Sequence, residues 1–188
     1  MADEGLDLTH TITQAQTGDR QAFAALYQHF ADRLFRYLYA RCADAALAED
    51  LAAETWVHVA KSLPRFRFAK APAETAFNAW LYTIARNLLI DTYRHRSWSN
   101  LSLSPTVVSR EPPLDEQVLV QEEQQELHRA LEQLPEDQRE VLLLRFFGEH
   151  TTTEIMGIMG RGESAVKSLQ FRALGALARL LGEQRRRH

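Results

Sequence analysis

The sequence predicts an all-α fold made of two small helical domains joined by a flexible linker. Three features of its 188 residues carry that prediction. Apolar residues recur every three or four positions over long stretches, no period-two segment of useful length occurs, and a serine- and proline-rich stretch interrupts the pattern near the middle. The first helix runs from about Arg20 to Arg41, with Phe23, Leu26, Phe30, Leu34 and Leu38 on one stripe and Asp19 as its cap. The second spans about Ala45 to Leu63 and is stopped by Pro64; Leu47, Leu51 and Val59 share a side, and Glu49, Asp50 and Glu54 sit near its start. The third covers about Phe77 to His95, with Leu81, Ile84 and Leu88 as its expected buried stripe.

From Trp98 to Pro113 the periodicity gives way to Ser99, Ser102, Ser104 and Ser109 with Pro105, Pro112 and Pro113, the composition of a tether. Helical pattern resumes near Asp115 with Leu119, Leu127 and Leu131, breaks at Leu134-Pro135 and restarts at once, because proline suits a first helical turn. That next helix carries Val141 and Leu144 and ends near Gly148. The expected layout is a tail over 1–14, a first domain over 15–97, a linker over 98–114, a second domain over 115–183 and a basic tail over 184–188.

Composition excludes several classes. No stretch approaches the roughly 20 apolar residues that span a bilayer, and Met1 to His10 is acidic rather than signal-like, so the expected compartment is the cytoplasm, without membrane insertion. Cys42 is the only cysteine, which forbids an internal disulfide. Glycine-rich phosphate loops, paired histidines at metal spacing and nucleophile elbows are all missing, so neither an enzyme nor a cofactor is expected. Glu122, Glu123 and Glu126 read as a solvated face.

The net charge of −3 conceals an uneven distribution. Lys61 to Arg96 holds seven basic residues against Glu74 and Asp91, and Arg161 to His188 holds seven against Glu163 and Glu183; the stretch from Arg110 to Glu140 between them has ten acids and three arginines. Two basic modules suit phosphate contacts at two places, although ordinary solvated helix faces would give the same counts.

The C-terminal module has helix-turn-helix proportions. Thr151 and Glu154 form a capping box, Gly160-Arg161-Gly162 supplies a turn, and a helix from about Glu163 turns Ala165, Val166, Leu169 and Ala173 inward. Lys167, Ser168, Gln170, Phe171 and Arg172 then face outward, with Arg161 and Ser164 at the start of the same surface. Lysine and arginine pair with phosphates or guanine, glutamine with adenine, and an aromatic ring meets a thymine methyl. An αα-hairpin without DNA would use the same pattern. In the N-terminal module, Arg65, Phe66, Arg67, Phe68 and Lys70 interleave rings with positive charge, which suits single-stranded DNA. Phe66 and Phe68 can equally plug the domain core. Asn78, Arg86, Asn87, Tyr93, Arg94 and Arg96 extend the polar surface along the third helix, where Trp80 reads as core.

Taken together, the segments resemble the extracytoplasmic-function subfamily of bacterial sigma factors. Gly18-Asp19 with Ala22-Phe23 and Leu26-Tyr27 is similar to the family's opening helix, and Ala48-Glu49-Asp50-Leu51 with Glu54-Thr55-Trp56 to its polymerase-docking segment. Asn78-Ala79-Trp80-Leu81-Tyr82-Thr83-Ile84-Ala85-Arg86-Asn87, then Asp91 and Tyr93-Arg94, resembles its promoter-melting stretch. Leu134-Pro135 and Gln138 to Arg145 resemble the start of its C-terminal domain. The resemblance implies that a region-two domain docks on core RNA polymerase through Glu49, Asp50, Leu51, Glu54 and Trp56 and captures the minus-ten element. It implies too that a region-four domain reads duplex minus-thirty-five DNA through Lys167, Ser168, Phe171 and Arg172, and that an anti-sigma factor is a partner. Three positions depart from the pattern: Leu169 replaces a common arginine, Gly162 a capping serine and Met156 a small alanine. Two rival readings are a dimeric helix-turn-helix regulator with a sensing domain and a helical adaptor without DNA; the basic and aromatic residues around Asn78 to Arg94 argue against the first, and the second leaves both basic segments unexplained.

Overall fold

The structure is a computed structural model that describes residues 7–68, 72–99 and 125–185, and among them it is helical throughout, without strands. The elements are α1 (Leu8–Gln16), α2 (Arg20–Cys42), α3 (Ala45–Ser62), α4 (Ala73–Ser99), α5 (125–132), α6 (Glu136–Phe146), α7 (Thr152–Met159) and α8 (Glu163–Arg185). Aspartates start the first three: Asp7 accepts from the His10 amide, Asp19 from Gln21 and Ala22, and Asp44 from Leu47. Each satisfies amide donors that the first helical turn leaves unpaired. A 3-10 turn over Leu63–Arg65 closes α3 at Pro64. No helix among the described residues is long and apolar enough to cross a membrane.

The first four helices form one bundle around Ile12, Leu26, Phe30, Leu34, Leu51, Val59, Leu63, Phe77 and Leu81, all buried. Each such side chain contributes roughly 1.5–3 kcal/mol by leaving water. α5 to α8 bury Leu131, Leu134, Val141, Leu144, Ile155, Val166, Leu169 and Ala173, which continue the same apolar cluster. The two bundles are packed on each other, α4 against α7 and α2 against α6.

Four features differ from the sequence reading. α1 lies largely within the stretch expected as a tail; its Leu8, Ile12 and Ala15 at helical spacing are buried, a stripe too short to stand out beside the masking Thr and Gln residues. α4 begins four residues before Phe77 and continues through Ser99, beyond the expected linker boundary at 97; the rest of the expected linker, the start of the second domain before residue 125 and the last residues of the tail lie outside the described residues. The buried residues of α4 are Phe77, Asn78, Leu81, Tyr82, Ala85 and Leu89, whereas Ile84 and Leu88 are half-buried. The buried arc is widened toward Asn78 and Tyr82 because α7 covers that side. Ala165 is exposed rather than inward, since the apolar stripe of α8 runs through Val166, Leu169 and Ala173 to the half-buried Ala176, Leu177 and Leu180.

Candidate nucleic-acid interface

In the C-terminal bundle the capping box is formed as the sequence suggests. Thr151 Oγ1 accepts from the Glu154 amide at 3.3 Å while Glu154 Oε2 accepts from the Thr151 amide at 2.8 Å. Gly160 ends α7 with φ 62°, a left-handed conformation that glycine adopts without a Cβ clash, and the Arg161 amide donates back to Met156 O at 3.1 Å. The turn thus delivers α8 with Val166, Leu169 and Ala173 packed inward and Lys167, Ser168, Phe171 and Arg172 lining a shallow concavity outside. Phe171 is 82% exposed, which no apolar packing role explains. Lys167 Nζ lies 2.6 Å from Glu163 Oε1, a contact that holds the fully exposed Glu163 carboxyl below its ordinary value. Arg172 Nε donates to Ser168 O at 3.2 Å. Ser164 is exposed on the same surface and Gln170 is half-buried. Arg161 instead pairs with Asp137 of α6, which ties the turn to its own bundle.

The departures in this module have structural outcomes. Leu169 is 8% exposed and belongs to the core of the bundle, and Gly162 O still accepts the Val166 amide at 3.0 Å, opening α8. Met156 is half-buried against the same core.

In the N-terminal bundle the loop after α3 separates its two phenylalanines. Phe66 is buried, stacked on Trp80 with ring centroids 4.6 Å apart and edge-on to Phe77 at 5.9 Å. It plugs the core, so its ring faces are not open to bases. Phe68 is 36% exposed and touches Phe66 edge-on at 5.5 Å. Arg65 and Arg67 are exposed, with Arg67 donating to Phe66 O at 3.1 Å; Lys70 lies outside the described residues. The loop is pinned by a residue the sequence reading passes over: Gln16 Nε2 donates to Leu63 O at 3.1 Å and Phe66 O at 2.7 Å. Only the burial of α1 could have signalled it.

Along α4 the predicted residues divide. Asn87, Tyr93 and Arg94 are exposed, with Arg94 3.8 Å from Asp91. Asn78 is 2% exposed, and its Nδ2 donates to Glu154 Oε1 of α7 at 2.6 Å. Arg86 is half-buried, its Nε 3.6 Å from Glu140 Oε1 of α6. Glu140 is itself buried; it accepts from the Tyr37 hydroxyl at 2.8 Å and faces Arg41 Nε at 3.7 Å. Burial pushes its carboxyl up, an effect that the Tyr37 hydrogen bond, Arg41 and Arg86 only partly offset. The same burial, with the Glu140 charge, pushes the Tyr37 phenol well above its ordinary value. Arg41 also pairs with Glu136, Arg36 with Glu149 at 2.7 Å, and the Tyr82 and His150 rings meet edge-on at 4.0 Å. Asn78 and Arg86 are therefore legible in the sequence as polar residues on α4, but their acidic partners are not.

The docking segment on α3 divides likewise. Glu49, Asp50 and Glu54 are exposed, whereas Leu51 is 2% and Trp56 6% exposed. Trp56 meets Phe23 at 5.9 Å and Tyr27 at 5.1 Å, supporting the acidic face from behind. Tyr27 and Val57, both about half exposed, add apolar surface beside it.

Comparison with known proteins matches both bundles to described families. Residues 26–99 match Sigma-70 region 2, and residues 124–177 match Sigma-70, region 4. Over 180 residues the chain is 34% identical to the ECF RNA polymerase sigma factor BldN of Streptomyces coelicolor, covering 93% of this chain and 66% of BldN; the chain thus spans just under two thirds of that relative's length. It is 32% identical over 153 residues to the ECF RNA polymerase sigma factor RpoE of Cereibacter sphaeroides, covering 80% of this chain and 81% of RpoE. Its fold is similar to that of CnrH, solved in complex with the cytosolic domain of CnrY, with a TM-score of 0.70, 22% identity, and coverage of 92% of this chain and 96% of CnrH.

Proposed function

The chain belongs to the ECF RNA polymerase sigma factors, and we propose a division of labour among its residues within that role. It is an alternative sigma factor, a non-enzymatic protein that directs promoter-specific transcription by RNA polymerase. Glu49, Asp50 and Glu54 form the surface that meets core polymerase, with Leu51 and Trp56 bracing the helix beneath. Phe68, Arg65, Arg67 and Lys70, together with Asn78, Arg86, Asn87, Tyr93 and Arg94 on α4, take the unpaired minus-ten strand; Phe66 sets the loop rather than stacking on a base. Lys167, Ser168, Phe171 and Arg172 read the duplex minus-thirty-five element, with Ser164 and Gln170 at the margin and Arg161 bracing the turn.

The observation that carries this reading is the outward cluster on α8. An aromatic ring left 82% exposed between a lysine and an arginine on the second helix of a helix-turn-helix has the chemistry of groove readout. The regulator reading falls away with family membership.

An anti-sigma protein is the expected inhibitor. An apolar groove lined by Phe35, Tyr39, Ala40, Leu127, Leu131 and Phe147 runs between α2 and α5, chemistry that suits an amphipathic segment of such a partner. The expected site of action is the cytoplasm, where core polymerase and promoter DNA meet.

Transcription in vitro tests the assignment. Purified chain is added to sigma-free bacterial core polymerase on a library of promoter fragments, and start sites are mapped. Discrete starts that depend on the chain and share two spaced upstream elements are expected; duplex binding without any initiation would overturn the reading.

A further inference from the structure

The loop assigned to the minus-ten strand is gripped from two sides, its buried ring by α4 and its backbone by α1. Phe66 stacks on Trp80 with ring centroids 4.6 Å apart. Its carbonyl and that of Leu63 share the two hydrogens of one side-chain amide: Gln16 Nε2 donates to Phe66 O at 2.7 Å and to Leu63 O at 3.1 Å. Leu63 O also accepts the Phe66 amide at 3.0 Å, the bond that closes the 3-10 turn. Pro64 has no amide hydrogen to offer, and a helix end leaves its last carbonyls unpaired, so Gln16 supplies a donor that the local chain lacks.

Gln16 is itself fixed. It is the last residue of α1, whose Leu8, Ile12 and Ala15 are buried. The Gly18 amide donates to Ala15 O at 3.1 Å, and Gly18 then turns the chain at φ 94°, a conformation open to glycine, before Asp19 caps α2. α1 lies ahead of the residues, 26–99, that match Sigma-70 region 2.

We propose that Gln16 is a positioning residue for minus-ten recognition, which fixes the Leu63–Phe66 backbone and thereby the place where Arg65, Arg67 and Phe68 meet the unpaired strand. The proposal rests on the assignment of that loop to the minus-ten element. Phe66 O is shared in the free chain, because Arg67 Nη1 also donates to it at 3.1 Å. When Arg67 turns to a phosphate, Gln16 keeps the carbonyl paired, and the loop can release its cation without shifting. A loop free to slide would still hold a strand through charge and stacking, which tolerate any sequence. It would lose the placement that separates one base from another. Gln16 therefore acts on selectivity more than on affinity.

The test uses the full chain. Gln16→Met keeps the length of the side chain and removes its donor; Gln16→Ala, a better helix former, takes its place if the methionine variant loses helical circular dichroism. In hydrogen exchange on the free protein, the Phe66 amide is expected to exchange at least tenfold faster in the variant, while the Leu34 and Val59 amides of the bundle core keep their wild-type rates. An unchanged Phe66 rate overturns the proposal. With core polymerase, open-complex yield is compared between the mapped promoters and versions carrying single-base changes in the minus-ten element. The ratio of matched to altered yield is expected to fall at least fivefold. A merely structural role would lower every yield in proportion, so an unchanged ratio overturns the proposal. Phe68→Ala, measured alongside, separates the two levels. If it loses opening while the Gln16 variant keeps its ratio, the loop assignment stands and the positioning role falls; if neither variant alters opening or ratio, both fall.

Discussion

Tyr37 on α2 donates its hydroxyl to Glu140 on α6 at 2.8 Å, a buried hydrogen bond between residues 103 apart in sequence. It joins the two bundles where both groups have lost water. Hydrogen bonds to charged groups contribute roughly 1.5–3 kcal/mol. A double-mutant cycle of Tyr37→Phe and Glu140→Gln should therefore return a coupling of about 1–3 kcal/mol in urea unfolding of the full chain. Additive effects of the two changes would mean the contact contributes nothing in solution.

Glu154 gives an acid-sensitive element. Burial raises its carboxyl, but the His150 ring 3.8 Å away and the hydrogen bonds from Thr151 and Asn78 outweigh that and bring it down to about 2 from an ordinary 4.5. Because the folded value is depressed, the stabilisation is complete above about 4.5 and is lost as pH falls toward about 2. Glu154→Gln should cost roughly 1–3 kcal/mol at neutral pH. The gap between wild type and variant should close progressively below pH about 4.5 in urea titrations followed by circular dichroism. A gap of constant size down to the acid end would show that the charge is not what stabilises this corner.

Phe66 and Phe68 sit two residues apart and should separate stability from function. Phe66→Ala removes a ring stacked on Trp80 in the core and is expected to cost about 3–5 kcal/mol. Phe68→Ala, at a ring 36% exposed, should cost less than about 1 kcal/mol yet lower promoter opening several-fold, read as open-complex yield with core polymerase. Equal stability losses, or full opening by Phe68→Ala, would reverse the assignment.

That pair also marks how far the sequence reaches. Alternation of rings and cations located the loop but left each ring's direction open, because direction is set by Trp80 and Phe77 arriving from α4. Long helices with four or five apolar repeats, such as α2, were legible, as were the Thr151–Glu154 capping box and the outward face of α8. Short α1 was not, since its Leu8, Ile12 and Ala15 acquire meaning only against the bundle they cover. Nor was the joint between bundles: Glu140 reads as one acid before an apolar run, and Tyr37 as one more ring on an apolar stripe. Their pairing is tertiary, and local periodicity carries no record of it.

Phe171 and Arg172 are neighbours on α8 that lie outside its packed stripe, so both can be removed with little structural cost. Phe171→Ala and Arg172→Ala should each change unfolding free energy by less than about 0.5 kcal/mol, as surface substitutions generally do. Their effects on duplex binding should differ in kind. If Phe171 meets a thymine methyl, its loss reduces discrimination between the mapped minus-thirty-five element and a thymine-substituted version, with the salt dependence unchanged. If Arg172 contacts a phosphate, its loss weakens both duplexes alike and lowers the salt slope by about one, whereas an arginine on a guanine edge would cost roughly 1–3 kcal/mol at that base pair alone. Binding titrations of holoenzyme on both duplexes at several salt concentrations separate these cases. Two variants that bind every duplex as wild type does would remove α8 from the reading surface.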